Sequence, residues 1–465
     1  MKENGRSDSN NRLFIFFISI VTVIESVWIL RSNGFYYIDE CAHFLYSRFF
    51  LSSLPVFVET WHRPGRLWLF ALPAQFGHTI TMFFSLALFL CLLIVTYKIA
   101  KLKGVRHAEW VVLLTGLQPI LFDISYACLA EAPAALLIVL AYWLHLKGKH
   151  AGSLTLASAV FLFRFEMFVF ALIMLALYTR RREWKILPLV LLGPFVWIAW
   201  TTILSGDLFT FFREWSRFSN LGKFIPGVSV THYLQNLQTI FGFAQLILFI
   251  AGVAFITRTH RTSGYWILYC TIVLNIIINT LAGAEVFHWT ASIGEFRYIA
   301  VVGPFFSIIA VVGFSELLER IKLPWSKFAF ALLTFGIIVF NCTITTHPRR
   351  WPNYDQVIVN MAKPLKGEYP NLIILTNNAI VAYVLDEPLV GGTRLAKFNN
   401  KTLSKYPECL IFWDPFTSNS LFSQTTITKE SILRDSTITV LYRYKYWSAE
   451  YLLLYKNHFQ PLMAH

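Results

Sequence analysis

The sequence predicts an α-helical polytopic membrane protein, a bundle of about eleven transmembrane helices carrying a small C-terminal α/β domain. Three observations predict it. Of 465 residues, 56% are hydrophobic and only 14% charged, against roughly a quarter charged in an ordinary soluble domain. Apolar runs close to the ~20 residues needed to cross a hydrocarbon core recur along most of the chain. Lysine and arginine collect in the short loops between those runs, where cytoplasmic retention favours them.

The first span lies at 13–30, and a polar-aromatic stretch, 31–78, follows as the first outer loop. It lacks a small-residue cleavage site, so it reads as an anchor. Spans at 79–97 and 110–125 flank the basic run Lys98, Lys101, Lys103 and Arg106, and a fourth ends near 145, before Lys147 and Lys149. Segment 151–179 is one long helix interrupted at Arg164 and Glu166, or two short helices meeting there. The basic run 180–182 must lie on the same side as Lys147, which requires two crossings and puts Arg164, Phe165 and Glu166 at the outer surface. Spans at 186–204, 240–256, 265–281, 298–314 and 328–340 then alternate with inner loops holding Arg258, Arg261, Arg320, Lys322 and Lys327. This frame sets the N-terminus inside and the C-terminus outside, in a bacterial or archaeal plasma membrane or an endoplasmic reticulum membrane alike.

The membrane domain is expected to cover 1–342 and an extracytoplasmic α/β domain 343–465. In the latter, NLIILT (371–376), CLIFWD (409–414) and TITVLYRY (437–444) read as strands, and AIVAYVL (379–385) as a helix. The stretch 42–57 is too short and polar to span and reads as an interfacial helix on the outer surface. The six cysteines show no metal-type spacing; Cys91 and Cys270, inside apolar runs, read as inert core residues. The net charge of +14 comes without a basic stripe interleaved with aromatics, so nucleic acid is excluded as a partner.

On this topology the ionisable residues gather at the outer ends of the spans, whereas a transporter places them near the midplane on broken helices. Asp39 and Glu40 follow the first span. A carboxylate there can take a proton from an attacking hydroxyl, although an acidic pair opening a helix also satisfies the dipole alone. Arg164 with Glu166 can be a local ion pair, Arg63 and Arg66 can snorkel to headgroups, and Arg297 can anchor a span.

The segments IDECAH (38–43), ETWHRPGRLWLF (59–70), SYACLAEAPAALL (125–137) and FRFEMF (163–168) stand in the order of the outer-loop motifs of a known class. In them the chain resembles the GT-C polyprenyl-phosphate-sugar-dependent glycosyltransferases, most nearly the dolichyl-phosphate-mannose α-mannosyltransferases of GPI-anchor and N-glycan assembly. The likeness covers about the first half of the membrane domain. It departs where Tyr37-Ile38 replaces His-Pro before the acidic pair, and where Trp61-His62-Arg63 replaces Trp-Glu-Trp.

The resemblance implies inverting transfer of a sugar, mannose by this branch, from a polyprenyl-phosphate donor to a glycan, glycolipid or protein acceptor on the non-cytoplasmic face. Asp39 would be the base, with Glu40 assisting. Arg63, Arg66, Arg164 and Arg297, with His62 and His288, would meet the donor phosphate, for which the planar guanidinium fork is suited. His43, Asp123, Glu131, Glu166 and His288 would contact acceptor or sugar. No cofactor is required, and metal-type spacing is absent, although Asp39, Glu40 and Asp123 are the carboxylates that could hold a divalent ion. A polytopic transporter or lipid flippase is the alternative, and a scaffold presenting the outer domain a third.

Overall fold

The computed structural model describes residues 2–52, 54, 58–222, 227–259, 264–283, 294–389, 392–418, 427–446 and 449–457. All eleven apolar segments are helical. Among the described residues, four helices are long and apolar enough to cross a membrane: Asn11–Arg31, His78–Leu102, Trp184–Ser205 and Pro324–Ile344. Glu131–Leu146, His150–Leu162, Phe243–Arg258 and Trp266–Ala282 are apolar but shorter. The chain divides into two compact units, 1–32, 58–69 and 78–348 against 33–57, 70–77 and 349–465. Most of the first outer loop, grouped by sequence with the membrane domain, thus clusters with the C-terminal segment.

Within the first unit, the span expected at 110–125 is broken into Trp110–Gly116 and Pro119–Ser125. Pro119 brings no N–H and pushes Gln118 out of the helical region, to ψ 128°. A break at membrane depth must have its backbone satisfied by protein. Gln245 Nε2 donates to the Leu117 carbonyl at 3.4 Å, and Gln118 Nε2 donates to the Gly303 carbonyl at 3.1 Å and Ser307 Oγ at 2.8 Å. Segment 151–179 takes the two-helix form, His150–Ala159 and Phe168–Arg180, joined through two 3₁₀ turns on either side of Arg164. Thr210–Gly222, left as an outer loop by the sequence reading, is a helix whose Phe211 and Trp215 pack with Phe161, Phe165 and Trp197. Cys91 is exposed and Cys270 half-buried, so neither is a core residue; a lipid-facing position accepts an apolar thiol equally well.

The tightest helix pair in this unit is Phe243–Arg258 against Gly303–Arg320. A Cβ on Gly252 would stand 2.1 Å from the Ile309 carbonyl oxygen, and one on Gly313 would stand 2.0 Å from that of Leu248. Such backbone contact is open only to glycine and replaces the hydrophobic drive that lipid removes. Beside it the Phe306 ring stacks with Phe241 and with Phe249, each at 4.0 Å between centroids.

The second unit holds a five-stranded sheet in the order β2-β1-β3-β5-β4, from Leu395–Ala396 (β2), Ile374–Leu375 (β1), Glu408–Trp413 (β3), Ala449–Asn457 (β5) and Ile438–Tyr446 (β4). β1 pairs in parallel with β2 and β3, while β5 is antiparallel to β3 and β4. The connection between β1 and β2 contains the helix Ala379–Leu385, at the residues the sequence indicated. β3 is buried on both faces, as a central strand must be when both faces are covered. One face carries the core of Leu375, Phe398, Cys409, Ile411, Trp413, Ile432, Leu452 and Leu454. β5, the strand joining the β3 and β4 edges, was not foreseen from sequence.

Gly313→Val should force the Gly252 crossing apart and lower the midpoint of thermal unfolding in detergent, with an overpacking cost of about 1–3 kcal/mol. Gly336→Val, where a Cβ meets nothing, serves as the neutral control. Equal midpoints for the two variants would remove this crossing as the tight point of the bundle.

Candidate functional site

The sequence-predicted residues fall into groups in different compact units, and each group has its own geometry. In the first unit, the extended backbone at Arg164 (φ −144°, ψ 96°) between two 3₁₀ turns turns its side chain out of the helical register. Gly65 lies against this turn so closely that a Cβ would meet Phe163 Cε2 at 2.6 Å. That approach carries Arg63 and Arg66 to the same place. Arg63 itself adopts φ +49°, a region that L-residues other than Asn and Asp rarely occupy.

The charges then interlock. Arg164 Nη1 donates to Glu131 Oε1 at 2.8 Å, its Nη2 pairs with Glu166, and its guanidinium lies 4.0 Å from the Tyr298 ring centroid. Arg297 Nε is 3.5 Å from the same Glu131 oxygen, and Arg297 lies 5.5 Å from the same ring. Arg63 faces the Phe165 ring at 5.8 Å. Arg66 Nη2 donates to the His62 carbonyl at 2.9 Å, and His62 Nε2 is 3.6 Å from Glu59. Arg66, Arg164 and Glu131 are each no more than 2% exposed.

Electrostatics follow from that burial. Burial, reinforced by Arg164, lowers the Arg63 pKa against the pull of Glu166 and Glu131. Burial brings Arg66 down to about 10. Burial also acts to lower Arg164, but Glu166 and Glu131 outweigh it and leave it raised. Burial acts to raise Glu131, but Arg164, Arg297 and Arg63 outweigh it and hold it below the usual carboxylate range, so it stands as a charged partner among them. The Nε–H groups of Arg63 and Arg164 are buried with no hydrogen-bond partner, and a phosphate oxygen would supply one.

Asp123 is apart from this cluster. It lies half-buried near Glu25 and Cys342, and Glu25, fully buried in the first apolar helix, accepts from Ser125 Oγ at 2.6 and 2.7 Å. His288 lies outside the described residues.

In the second unit, Asp39 and Glu40 open the helix Ile38–Arg48. The interfacial helix expected over 42–57 is thus earlier, shorter and buried from Glu40 to Ser47, His43 included; residues 53 and 55–57 lie outside the described residues. It packs on Ala379–Leu385, where Phe35 and Phe44 meet Tyr383 at 4.8 and 6.0 Å, which explains why its second face is apolar too. The two carboxylates part ways. Both Glu40 oxygens accept from Arg349 Nη1, at 2.9 and 3.0 Å, and one accepts the Tyr36 N–H at 2.5 Å. The side chains of Glu40 and Arg349 are 0% and 3% exposed. The Arg349 carbonyl in turn accepts from the Asn33 N–H at 2.8 Å. Glu40 therefore fixes the loop 33–40, while Asp39 stays half-exposed in the first turn.

Sequence reasoning missed Tyr298 and Arg349. Tyr298 adjoins Arg297 and was read as span. Arg349 is 309 residues from Glu40, and no local pattern connects them. Among the described residues, no three His, Cys, Asp or Glu side chains come together to hold a metal ion.

No protein-family model and no curated protein sequence matches the chain. Among solved structures, the crystal structure of ArnT from Cupriavidus metallidurans bound to undecaprenyl phosphate superimposes with a TM-score of 0.59. The match covers 94% of this chain and 97% of that one at 11% identity. The chain is similar in fold to ArnT. The likeness is one of fold, and it extends over residues of both compact units.

Two outcomes follow from the second unit. Glu40→Gln or Arg349→Met alone should cost about 3–5 kcal/mol in thermal unfolding, because each strands a buried charge or donor. Glu40→Leu combined with Arg349→Met should cost clearly less than the sum; additive costs would show that the pair is not coupled. Asp355 is buried beside Asp414, and burial first, then that neighbour, raises it from 3.8 to about 7. The folded chain holds this proton between those values while the unfolded chain has released it, so stability falls as pH rises through that window. Asp355→Asn should therefore gain stability over wild type progressively from pH 4 to pH 7, at ~1.4 kcal/mol per unit at most; a constant difference across that range would refute the assignment.

Proposed function

We propose that the chain is an inverting glycosyltransferase that uses a polyprenyl-phosphate sugar, with mannose as the sugar. The observation that carries the reading is the pair of buried Nε–H groups of Arg63 and Arg164, which have no hydrogen-bond partner and suit the oxygens of a phosphate ester. The ArnT-like fold supports the same class, since ArnT was crystallised with undecaprenyl phosphate. The mannose assignment rests on the resemblance of 38–43, 59–70, 125–137 and 163–168 to the dolichyl-phosphate-mannose branch.

In the proposed reaction an acceptor hydroxyl oxygen attacks the anomeric carbon from the face opposite the phosphate. The new C–O bond forms as the bond from that carbon to the phosphate oxygen breaks, and the lipid phosphate leaves with the electron pair. Asp39, half-exposed at the start of its helix, takes the hydroxyl proton. Arg63 and Arg164 turn their unsatisfied Nε–H groups to the phosphate, whose charge grows as the bond breaks. Glu131 and Glu166 hold the guanidinium groups in place and limit their mutual repulsion. The distribution of basic loops supports a reaction on the non-cytoplasmic face, and the proposal takes a glycan, glycolipid or protein as acceptor and no cofactor. Glu25, buried within an apolar helix, favours a second reading as a transporter or flippase.

Transfer of labelled sugar from polyprenyl-phosphate mannose and polyprenyl-phosphate glucose into a host glycolipid extract tests the first reading. Wild type should transfer mannose. Asp39→Asn should lose about 10²–10⁴-fold in rate with its unfolding midpoint intact. Arg63→Gln should lose about 10–100-fold in kcat/KM for donor. Transfer undiminished in Asp39→Asn would remove the base assignment. No transfer from either donor, with cellular glycans unchanged on gene deletion, would favour the transporter.

A further inference from the structure

The second unit contains a cavity of about 260 Å³ that the transfer chemistry does not use. Its floor is apolar and buried, made by Val357, Leu365 and Leu453. Its walls are Tyr369, Tyr442 and Tyr444, and its rim carries Asn360 and Glu368.

The fold presents these side chains for identifiable reasons. β4 is the outermost strand of the sheet, and Tyr442 and Tyr444 pair with Leu453 and Tyr451 of β5, so both tyrosines stand on one face. A register shift between Val440 and Tyr442 resets which β4 side chains point to that face, the use to which bulges are put near binding sites. Tyr442 and Tyr444 are 66% and 47% exposed, a poor place for two aromatic rings unless something covers them. The opposite wall is pinned: Arg394 Nη2 donates to the carbonyls of Leu365 and Tyr369 at 3.0 and 2.8 Å. Arg443, between the two tyrosines, stands on the opposite face of the sheet, where its Nε lies 3.2 Å from Glu450. Asn360 Oδ1 accepts from Gln356 at 2.9 Å, and its NH2 is left for a ligand.

From these features we infer that the cavity binds one pyranose ring of a neutral saccharide. The C–H-bearing face of a pyranose is apolar and flat and stacks on tyrosine rings, while its equatorial hydroxyls need donors and acceptors in alternation around the edge. Tyrosine walls over an apolar floor meet the first demand. The amide of Asn360 and the carboxylate of Glu368 meet the second, offering both senses of hydrogen bond at the rim. A volume just below the ~300 Å³ at which pockets for drug-sized ligands begin suits a single ring with its chain leading out to solvent. A peptide strand added to the β4 edge would use the backbone and leave the cavity empty. The role of this saccharide as part of the acceptor rests on the transferase reading; its binding does not.

Saturation-transfer NMR on the full chain in detergent tests the site, with methyl α-mannoside, methyl α-glucoside and their α-linked disaccharides as probes. At least one should show saturation on the hydrogens of one ring face. Tyr442→Ala with Tyr444→Ala should weaken binding roughly tenfold, and Glu368→Gln with Asn360→Ala should weaken it as well, with circular dichroism unchanged. Arg63→Gln should leave it intact. Signals equal in wild type and the tyrosine variant, absence of signal with every saccharide, or loss of signal to a competing unstructured peptide would each overturn the proposal. Saccharide binding that survives while no sugar transfer is found and cellular glycans are unchanged on gene deletion would remove the transferase reading and keep the site.

Discussion

The structure turns on how a chain with few charges places four guanidinium groups where water is scarce. An isolated ion in such a place carries a solvation penalty of several kcal/mol, so each arginine has to be answered by a carboxylate, a ring or a ligand. Glu131 answers two of them, Arg164 and Arg297, and Tyr298 lies across both. The surrounding backbone is bent to that end, with the helical register interrupted at Arg164 and the segment at Gly65 drawn against Phe163. Two donors of the cluster, the Nε–H groups of Arg63 and Arg164, are left buried without a hydrogen-bond partner.

The rest of the first unit supplies rigidity without the usual solvent. Helices close on one another through glycine at 252 and 313, and at the break ahead of Pro119 the Leu117 carbonyl is met by the Gln245 amide. A cluster of like charges pushes its own members apart, and a frame packed backbone to backbone resists that push. In the second unit the same economy is achieved with one pair, Glu40 and Arg349, which joins residues near the chain start to the beginning of the C-terminal segment.

Much of this was legible in the sequence, and the reasons differ by element. Apolar runs and basic loops are imposed by the bilayer, so all eleven segments could be read, as could the pair of helices around Arg164. AIVAYVL was recognisable because a short apolar run between strands has few other uses. Pro119 announced the break within 110–125, but a hydropathy window averages over one proline. The helix Thr210–Gly222 carries Phe211 and Trp215 at a helical spacing that a closer reading of the loop would have shown. The arginines could be named, and so could Glu166 as the local partner of Arg164, whereas the ion pairs of Glu131 with Arg164 and Arg297 join residues far apart in sequence. Arg349 could not be found, since its meaning depends on a residue 309 positions away.

Arg63 has a consequence for how this chain can change. Its backbone sits at φ +49°, where an L-residue bears a conformational penalty of about 1–3 kcal/mol and glycine bears little. A selection for heat resistance alone would therefore drift toward glycine at position 63 and discard a guanidinium in the process. Thermostability screens and activity screens should pull this position in opposite directions, which makes it a poor target for consensus stabilisation and a sensitive marker of what the fold is kept for.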